Sequence, residues 1–329
     1  MKPAAGGNST VAVMSLICIA ALPAGSAEHN VWSTRAGGIA RSAYECASLP
    51  SPMPRVGAPI TIAAHLGTVR ATLSGSVAPV KSAFALARPL LKIASGDNRT
   101  VQARVPIMPL TPAVRGIALV SLTSTSSASR GSAPLCLANL GEGGRGTVVL
   151  LATSTLGSGC CTTLDAYLAL HGTVRTSPVQ EHLGPPGATV ESVGGKPILR
   201  TADGSFFSRF APGPVSGMPV LILQIRGSDF VDTTRHYPAV VRDDAALWWA
   251  AYERAQNPGR EGKGGGLGLL APWVADEYLL GKGDQAWAEV ERLNSEHRLT
   301  GGNVGRQWPT GAAYVTWLRE LLVQRGYCT

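Results

Sequence analysis

The chain has 329 residues, of which 45% are hydrophobic and 15% charged, and its formal net charge is +8. That length is sufficient for one large hydrophobic core or for two domains. Arginine supplies 23 of the 29 basic residues and, with the abundant alanine and glycine, indicates a GC-rich bacterial coding sequence. The basic residues are scattered and never grouped with aromatic ones, which favours a mildly basic, solvated surface over a nucleic-acid site.

The first 27 residues have the pattern of a secretory signal peptide. Lys2 supplies a positive start, residues 11–22 form an apolar run, and Pro23 ends that run. Small residues at the last and third-last positions before Glu28 are typical of a signal cleavage site. We therefore expect an exported mature protein that begins at Glu28 and has no transmembrane segment after cleavage.

Short strands alternating with turn residues characterise the next two hundred residues. Residues 89–108 predict a hairpin whose turn is Ser95-Gly96-Asp97-Asn98. Four more strands are predicted within 135–140, 146–155, 160–170 and 218–225. Repeated short strands of this kind indicate an antiparallel sandwich, barrel or propeller-like arrangement.

From residue 237 the apolar period changes to that of helices. One helical face recurs at steps of four, three, four and three, through Val241, Ala245, Trp248, Tyr252 and Ala255. A glycine-rich connector follows, then a helix near 269–280, a third capped by Asp284 and a fourth opened by Pro309. Six of the seven tryptophans lie after residue 247, at spacings that favour core anchors over a ligand cage.

The predicted fold class is therefore α+β in several parts. We expect a signal peptide over 1–27, a β-rich domain over 28–236 and a small all-α domain over 237–329. The charge is uneven between the two mature parts: residues 28–235 hold 18 basic and 10 acidic residues, whereas residues 236–329 hold 10 and 11. A basic half favours anionic partners such as wall polymers, lipid or nucleic acid.

Standard catalytic motifs are missing from the sequence, which leaves a few isolated candidates. Asp203 lies in an Asp-Gly turn, a common use of that pair. Asp229, Asp232 and Arg235 lie in the segment SDFVDTTR and are weak candidates for a catalytic site. Their more common role is a salt bridge at the end of a strand.

Four segments together resemble a group of secreted bacterial proteins related to FG-GAP/VCBS-type β repeats. The segments are LCLANLGEGGRGTVVLLATSTLGSGCC, ILRTADGSFFSRF, FVDTTRHYPAVVRDDAALWW and PWVADEYLLGKGDQAW, and the resemblance covers residues 134–327. The resemblance implies a β domain with a helical tail and a function in binding or scaffolding. It also implies an aspartate-rich calcium turn, but here residues 139–144 offer only Asn139 and Glu142 as side-chain ligands. A family histidine is replaced by Gly159, so we expect no metal and no cofactor.

Five cysteines remain in the mature chain, and in an exported protein we expect them to pair. Cys160 and Cys161 are adjacent, and neighbours in a strand point to opposite faces, so they do not share a metal. A bridge from Cys136 to one of these two is the first prediction, and a vicinal ring between them is the alternative. Cys46 and Cys328 lie near the mature termini and form a second predicted pair.

The expected function is an exported module that binds or scaffolds at the envelope or outside the cell. Its predicted partner is an envelope polymer or an extracellular protein, with no specific nucleic acid. One alternative is a hydrolase of envelope polymers that uses Asp203, Asp229 or Asp232. Two carboxylates facing one cleft would favour that enzyme, and carboxylates scattered on strand ends would favour the binder. The other alternative is a relative that keeps the fold without a ligand site.

Overall fold

A computed structural model confirms the two-part α+β architecture, with antiparallel sheets followed by helices. It describes residues 43–80, 84–96, 99–111, 114–123, 133–141, 146–154, 162–170, 172–185, 187–256, 266–300 and 308–328. Within these ranges the strands are β1 (Tyr44–Ala47), β2 (Pro59–Leu66), β3 (Val69–Val77), β4 (Phe84–Ser95), β5 (Arg99–Ala103), β6 (Met108–Thr111), β7 (Val114–Leu119), β8 (Leu135–Ala138), β9 (Thr147–Ser154), β10 (Thr162–Leu170), β11 (Thr173–Val174), β12 (Val179–Leu183), β13 (Thr189–Val193), β14 (Lys196–Ala202), β15 (Val220–Arg226) and β16 (Asp229–Asp232). The helices are α1 (Pro238–Gln256), α2 (Gly266–Leu279), α3 (Gly283–Ser295) and α4 (Gly311–Gln324).

The first twelve strands form one curled antiparallel sheet. Its main path runs β1-β8-β9-β7-β4-β3-β2, with β5 on β4, β6 on β7, and β10 joining β9 to β11 and β12. Strand β2 alternates exposed and buried residues, so Ile60, Ile62 and Ala64 enter the core. The curl brings β2 back against β1, where the His65 amide donates to Glu45 Oε1 at 3.0 Å. The two ends of the sheet therefore meet.

Strands β9 and β10 are buried on both faces, which explains their continuous apolar sequences. Leu151 and Tyr167 face the interior of the curled sheet. Leu150 and Leu164 face the other way and pack with Leu223 of the smaller sheet. The curled sheet and the smaller sheet thus share one apolar layer.

The predicted hairpin is confirmed as β4 and β5, which pair from Ser95 opposite Arg99. Gly96 at the turn has φ +57°, a left-handed conformation that glycine adopts without steric cost. Asp97 and Asn98 lie outside the described residues. The four other predicted strands appear as β8, β9, β10 and β15.

The smaller sheet links the β region to the helices. Its order is β13-β14-β15-β16, all antiparallel, with Gly227 at φ +60° in the tight turn between the last two strands. Ile198 and Ile222 on one face of this sheet pack against Val241 of α1. This contact positions the helical part on the sheet.

The predicted face of α1 is confirmed, because Val241, Ala245 and Tyr252 are buried. The second helix begins at Gly266, so the glycine-rich connector is shorter than predicted, and residues 257–265 lie outside the described part. The cap prediction for α3 was wrong. Lys282 occupies the N-cap position, and Asp284 instead lies in the first turn, where a carboxylate favourably meets the helix dipole.

The fourth helix begins two residues after Pro309, with Thr310 at the N-cap position, and the chain turns at Gly326 (φ +73°) as predicted. Trp249, Trp273 and Trp287 are partly buried against the helical core, which confirms them as packing residues. Trp317 is 42% exposed, so the core interpretation was wrong for it. Among the described residues, no helix is both long and apolar enough to cross a membrane.

The cysteine pairing differs from the prediction. Cys46 of β1 and Cys136 of β8 lie directly opposite each other and form a disulfide, with S–S 2.00 Å and Cα–Cα 4.0 Å. This bond excludes both predicted pairings of these two residues, Cys136 with Cys160 or Cys161 and Cys46 with Cys328. The physical reason is strand order, since β1 returns to pair with β8 across a sequence separation of 90.

The other cysteines give no test of the remaining predictions. Cys160 and Cys161 lie outside the described residues, so the vicinal ring stays a prediction. Cys328 is buried against the helical core. Residues 142–144 of the predicted poor calcium turn are also outside the described part, and the Asn139 carboxamide accepts a hydrogen bond from Thr147 Oγ1 at 3.2 Å.

Candidate functional site

Asp203, the first sequence candidate, is a buried residue that ties the smaller sheet to the end of the chain. One carboxylate oxygen accepts from the Ser205 amide at 3.0 Å and caps the 3₁₀ turn Gly204–Phe206, as the Asp-Gly turn predicted. The other accepts from Arg325 Nε and from the Tyr327 hydroxyl, each at 3.1 Å. All of these donors belong to the protein itself. Asp203 therefore has a structural role, because it connects the end of β14 to the segment after α4.

Asp232 and Arg235 lie near Asp203 but do not form the predicted salt bridge. Asp232 Oδ1 accepts hydrogen bonds from the amide (2.8 Å) and hydroxyl (2.5 Å) of Thr234. Arg235 donates to the main-chain carbonyls of Tyr278 (3.5 Å) and Tyr327 (3.3 Å). The prediction was wrong because turn formation places the Thr234 donors closer to Asp232 than the guanidinium.

Tyr327 stands at the centre of this polar region, which we call the junction: Asp203, Asp232, Arg235, Asp244, Asp276, Arg325 and Tyr327. Burial raises the pKa of the Tyr327 phenol well above its usual range, and the charge of Asp203 and the neighbouring carboxylates raises it further. The phenol therefore stays protonated and serves as a hydrogen-bond donor. Two sequence candidates, Asp203 and Asp232, thus meet around one tyrosine.

Asp244 of α1 is a junction residue that the sequence analysis did not single out. Its Oδ1 accepts from Arg200 Nη2 at 2.8 Å, and its Oδ2 accepts from Trp248 Nε1 at 2.8 Å and the Val220 amide at 3.1 Å. The side chain is only 8% exposed. Three donors, from β14, β15 and α1, therefore satisfy both oxygens of this buried side chain.

Asp276 of α2 lies beside Asp244 and is fully buried. Within the described part of the chain, no donor group bonds to its carboxyl oxygens, and its hydrogen-bonding neighbour is the Asp244 carboxylate, to which only a protonated Asp276 can donate. Burial, together with the charge of Asp244, raises the pKa of Asp276 to about 10. Asp276 is therefore protonated at neutral pH and lies buried beside a second carboxyl group, an arrangement that costs stability and often marks functional sites.

A signal for both residues exists in the sequence. Position 244 lies three residues after Val241 and four before Trp248, so helical periodicity places it on the predicted buried face. Helix α2 is apolar almost all round, which indicates a buried helix and hence a buried carboxylate at Asp276.

A cleft of about 680 Å³ lies elsewhere, between the β11–β12 loop and the β15–β16 turn. Its lining consists of Val174, Arg175, Thr176, Ser177, Pro178, Val179, Gln180 and Ser228. Arg175 Nη1 donates to the Gly227 carbonyl at 3.5 Å and joins the two walls. Asp229, the remaining sequence candidate, lies at the rim, where it accepts from Ser228 Oγ at 3.3 Å. The structure therefore brings Asp229 to the cleft and separates it from Asp203 and Asp232.

Behind the cleft lies a buried carboxyl, Asp165 of β10. Its Oδ1 accepts from the Gln180 carboxamide at 2.6 Å, and its Oδ2 has no partner among the described residues. Burial raises the pKa of Asp165 to about 6, although the Gln180 hydrogen bond and the charge of His182 lower it. Gln180 thus connects the cleft surface to an ionisable group in the sheet.

These sites have no convergent metal ligands: no group of three or more histidine, cysteine or carboxylate side chains able to hold a metal occurs in the described ranges. Among the described lining residues of the cleft none is a carboxylate, and the junction carboxylates Asp203 and Asp244 accept hydrogen bonds from protein donors. The cleft can offer a cation, hydroxyls and an amide to a ligand. The junction can hold two parts of the fold together.

Comparison with known proteins gives a partial match. Residues 241–326 match the family model described as the sll0997 C-terminal domain. No curated protein and no solved structure matches the chain. The matched segment contains Asp244, Asp276 and Arg325, so the helical side of the junction lies within it. The helical part of this chain is therefore similar to the sll0997 C-terminal domain.

Proposed function

We propose that this protein is an exported binding module whose ligand site is the cleft between the β11–β12 loop and the β15–β16 turn. The proposal rests on the size and the lining of this cleft. Its volume of about 680 Å³ lies within the range of roughly 300–1,000 Å³ that is usual for ligand sites. Arg175, Thr176, Ser177, Gln180 and Ser228 place a cation, hydroxyls and an amide around it. Such groups fix the orientation of a polar ligand.

Export is supported by two independent features. The first 27 residues have the pattern of a signal peptide. The Cys46–Cys136 bond is of a kind that persists in oxidising compartments and is rare in the cytosol. The resemblance to secreted FG-GAP/VCBS-type proteins fits the same compartment, and we retain it as part of the proposal.

A hydrolase is less well supported. Glycoside hydrolysis normally requires two carboxyl groups that flank the scissile bond. Asp229 lies at the cleft rim, whereas Asp203 and Asp232 are bonded to other groups at the junction. Asp244 and Asp276 are paired but buried within the fold. A binding role needs only the donors that the cleft already presents.

The test is a co-sedimentation assay with insoluble peptidoglycan sacculi, using the mature protein and two tryptophan variants. Ser177→Trp places an indole in the cleft, and Thr61→Trp adds the same side chain to an exposed position of β2. We expect the wild type and Thr61→Trp to sediment with the sacculi and Ser177→Trp to remain in the supernatant. Equal sedimentation of all three, or release of soluble fragments by the protein, would contradict the proposal. Melting curves of both variants verify folding.

A further inference from the structure

The chemistry of the cleft extends the proposed function, on which the following inference rests. Arg175 is exposed and lines the cleft, and its Nη1 donates a long hydrogen bond to the Gly227 carbonyl. Among the described residues it forms no ion pair. A guanidinium has five N–H donors in a planar fork, so most of its bonding capacity remains for a ligand.

Two more arginines flank the same cleft. The Arg104 amide donates to the Thr176 carbonyl at 2.8 Å, which places Arg104 beside one wall. Arg226 precedes Ser228 of the other wall by two residues and lies directly opposite Asp229 in the β15–β16 pair. Both are exposed, and neither forms an ion pair within the described ranges. These cleft arginines differ from arginines elsewhere in the protein that form ion pairs with carboxylates: Arg200, Arg292, Arg298, Arg319 and Arg325.

The carboxylates near the cleft are positioned away from its lining. Asp229 lies at the rim and interacts with Ser228. Asp165 is buried behind Gln180, and Glu181 neighbours Gln180 on β12, where adjacent residues point to opposite faces. Three exposed arginines thus lie at the cleft, whereas only one of the three carboxylates, Asp229, is exposed. The cleft surface is therefore positive. A positive cleft concentrates anionic ligands.

We propose that the cleft binds an acidic polysaccharide, with a carboxylate or phosphate group of the glycan anchored on Arg175. Thr176, Ser177, Gln180 and Ser228 then hydrogen-bond the sugar hydroxyls. None of the described residues that line the cleft is aromatic. Single-stranded nucleic acids are normally held by stacking of bases on aromatic rings, so the lining favours a glycan over a nucleic acid.

The experiment measures binding to the mature protein by isothermal titration calorimetry, with defined probes. Trigalacturonate supplies carboxylates, a glycerol-phosphate oligomer supplies phosphates, maltotriose is the neutral control and oligothymidylate is the nucleic-acid control. The variants are Arg175→Gln, the double variant Arg104→Gln/Arg226→Gln, and Arg242→Gln. Arg242 is an exposed arginine of α1 without an ion pair among the described residues, so it is the matched control.

We expect trigalacturonate or the phosphate oligomer to bind the wild type, and the better of the two identifies the anionic group. Arg175→Gln should weaken that binding at least about tenfold, since a charge-assisted hydrogen bond contributes roughly 1.5–3 kcal/mol. The double variant should weaken it less, and Arg242→Gln should leave it unchanged. Raising salt from about 50 to about 300 mM should weaken binding of the wild type more than that of Arg175→Gln.

Three results would overturn the inference. In the first, neither acidic probe binds at millimolar concentration. In the second, maltotriose binds as well as the acidic probes and Arg175→Gln has no effect. This result rejects the anion but keeps a ligand site in the cleft, whereas unchanged sedimentation of Ser177→Trp rejects the site itself. In the third, oligothymidylate binds more tightly than either glycan. Arg175 is exposed, so loss of folding is not expected, and the salt dependence of the wild type gives a test without any substitution.

Discussion

The junction and the cleft differ in whether their charged side chains are paired within the protein. At the junction, Asp203 is bonded to Arg325 and Tyr327, and Asp244 is bonded to Arg200 and two further donors. At the cleft, the one hydrogen bond of the Arg175 side chain to a described residue is a long one, to the Gly227 carbonyl. A charged side chain that is already paired within the protein has little hydrogen-bonding capacity left for a ligand. The cleft is therefore the place where binding energy remains available, and the junction is where charge is used for stability.

The curled sheet and the helical part also differ in how they are held together. The curled sheet has the Cys46–Cys136 bond across β1 and β8. The helical part is joined to the smaller sheet by the junction and by aromatic packing, such as Phe206 edge-on to Tyr327 with ring centroids 5.8 Å apart. Each prediction below acts on one region and spares the other.

The largest effect should come from the disulfide. The variant Cys46→Ala/Cys136→Ala should lower the free energy of unfolding of the β region by about 2–5 kcal/mol, because the bond spans a sequence separation of 90. Hydrogen exchange should speed up in β1, β8 and β9, while the helices keep their protection. Reductant added to the wild type should give the same pattern. Equal loss of protection in the helices would show that the two regions unfold as one unit.

Asp276→Asn should stabilise the protein at neutral pH. Because the folded-state pKa is raised to about 10, the stability linked to Asp276 is fully present below pH ~4 and is lost as the pH rises toward 10. An asparagine removes this penalty and keeps a donor for Asp244. We expect a gain of about 2–4 kcal/mol at pH 7 in urea unfolding.

The matched control for this change is Asp243→Asn, at an exposed carboxylate one position before Asp244. It should change stability by no more than about 0.5 kcal/mol. A destabilised Asp276→Asn protein would mean that the ionised form of Asp276 is the one that the fold requires. The structural account of the pair would then be incorrect.

Asp203→Asn should destabilise the junction by about 1–3 kcal/mol, since it removes the charge that accepts from Arg325 and Tyr327. Tyr327→Phe should cost about 1 kcal/mol for the lost hydrogen bond. The control is Asp229→Asn at the cleft rim, which should be nearly neutral for stability. If Asp229→Asn were the more damaging change in thermal melts, the assignment of the two aspartates would be reversed.

The smallest stability effect should follow from Arg175→Gln, within about 0.5 kcal/mol of the wild type. Arg200→Gln should cost about 1–2 kcal/mol, because it leaves the buried carboxylate of Asp244 with fewer donors. Parallel thermal melts compare the two. Similar losses for both variants would remove the distinction between a free and a neutralised arginine.

Local patterns were sufficient for most of the fold. Short apolar runs bounded by turn residues located β8, β9, β10 and β15, and helical spacing located the face of α1. Each of these patterns reflects the burial of residues within one segment. The Cys46–Cys136 bond could not be predicted in this way, since it depends on β1 returning to β8 after residues far apart in sequence. Asp229 and Asp232 were grouped by their nearness in sequence, but they lie at opposite ends of strand β16, one beside Ser228 at the cleft rim and the other beside Thr234 at the junction.

The cleft was missed for a related reason. Its walls come from residues 174–180 and from Ser228, about fifty positions apart, and neither wall has a pattern of its own. The junction was found in part, through Asp203, Asp232 and Arg235. Its buried pair, Asp244 and Asp276, required the faces of α1 and α2 to be compared with each other.

The most direct test of the central claim is a backbone chemical-shift map of the mature protein titrated with trigalacturonate. The account predicts shifts concentrated at residues 174–180 and at the turn containing Gly227 and Ser228, with the junction residues Asp203, Asp276 and Tyr327 unaffected. Shifts centred on those junction residues, with the cleft unchanged, would contradict it.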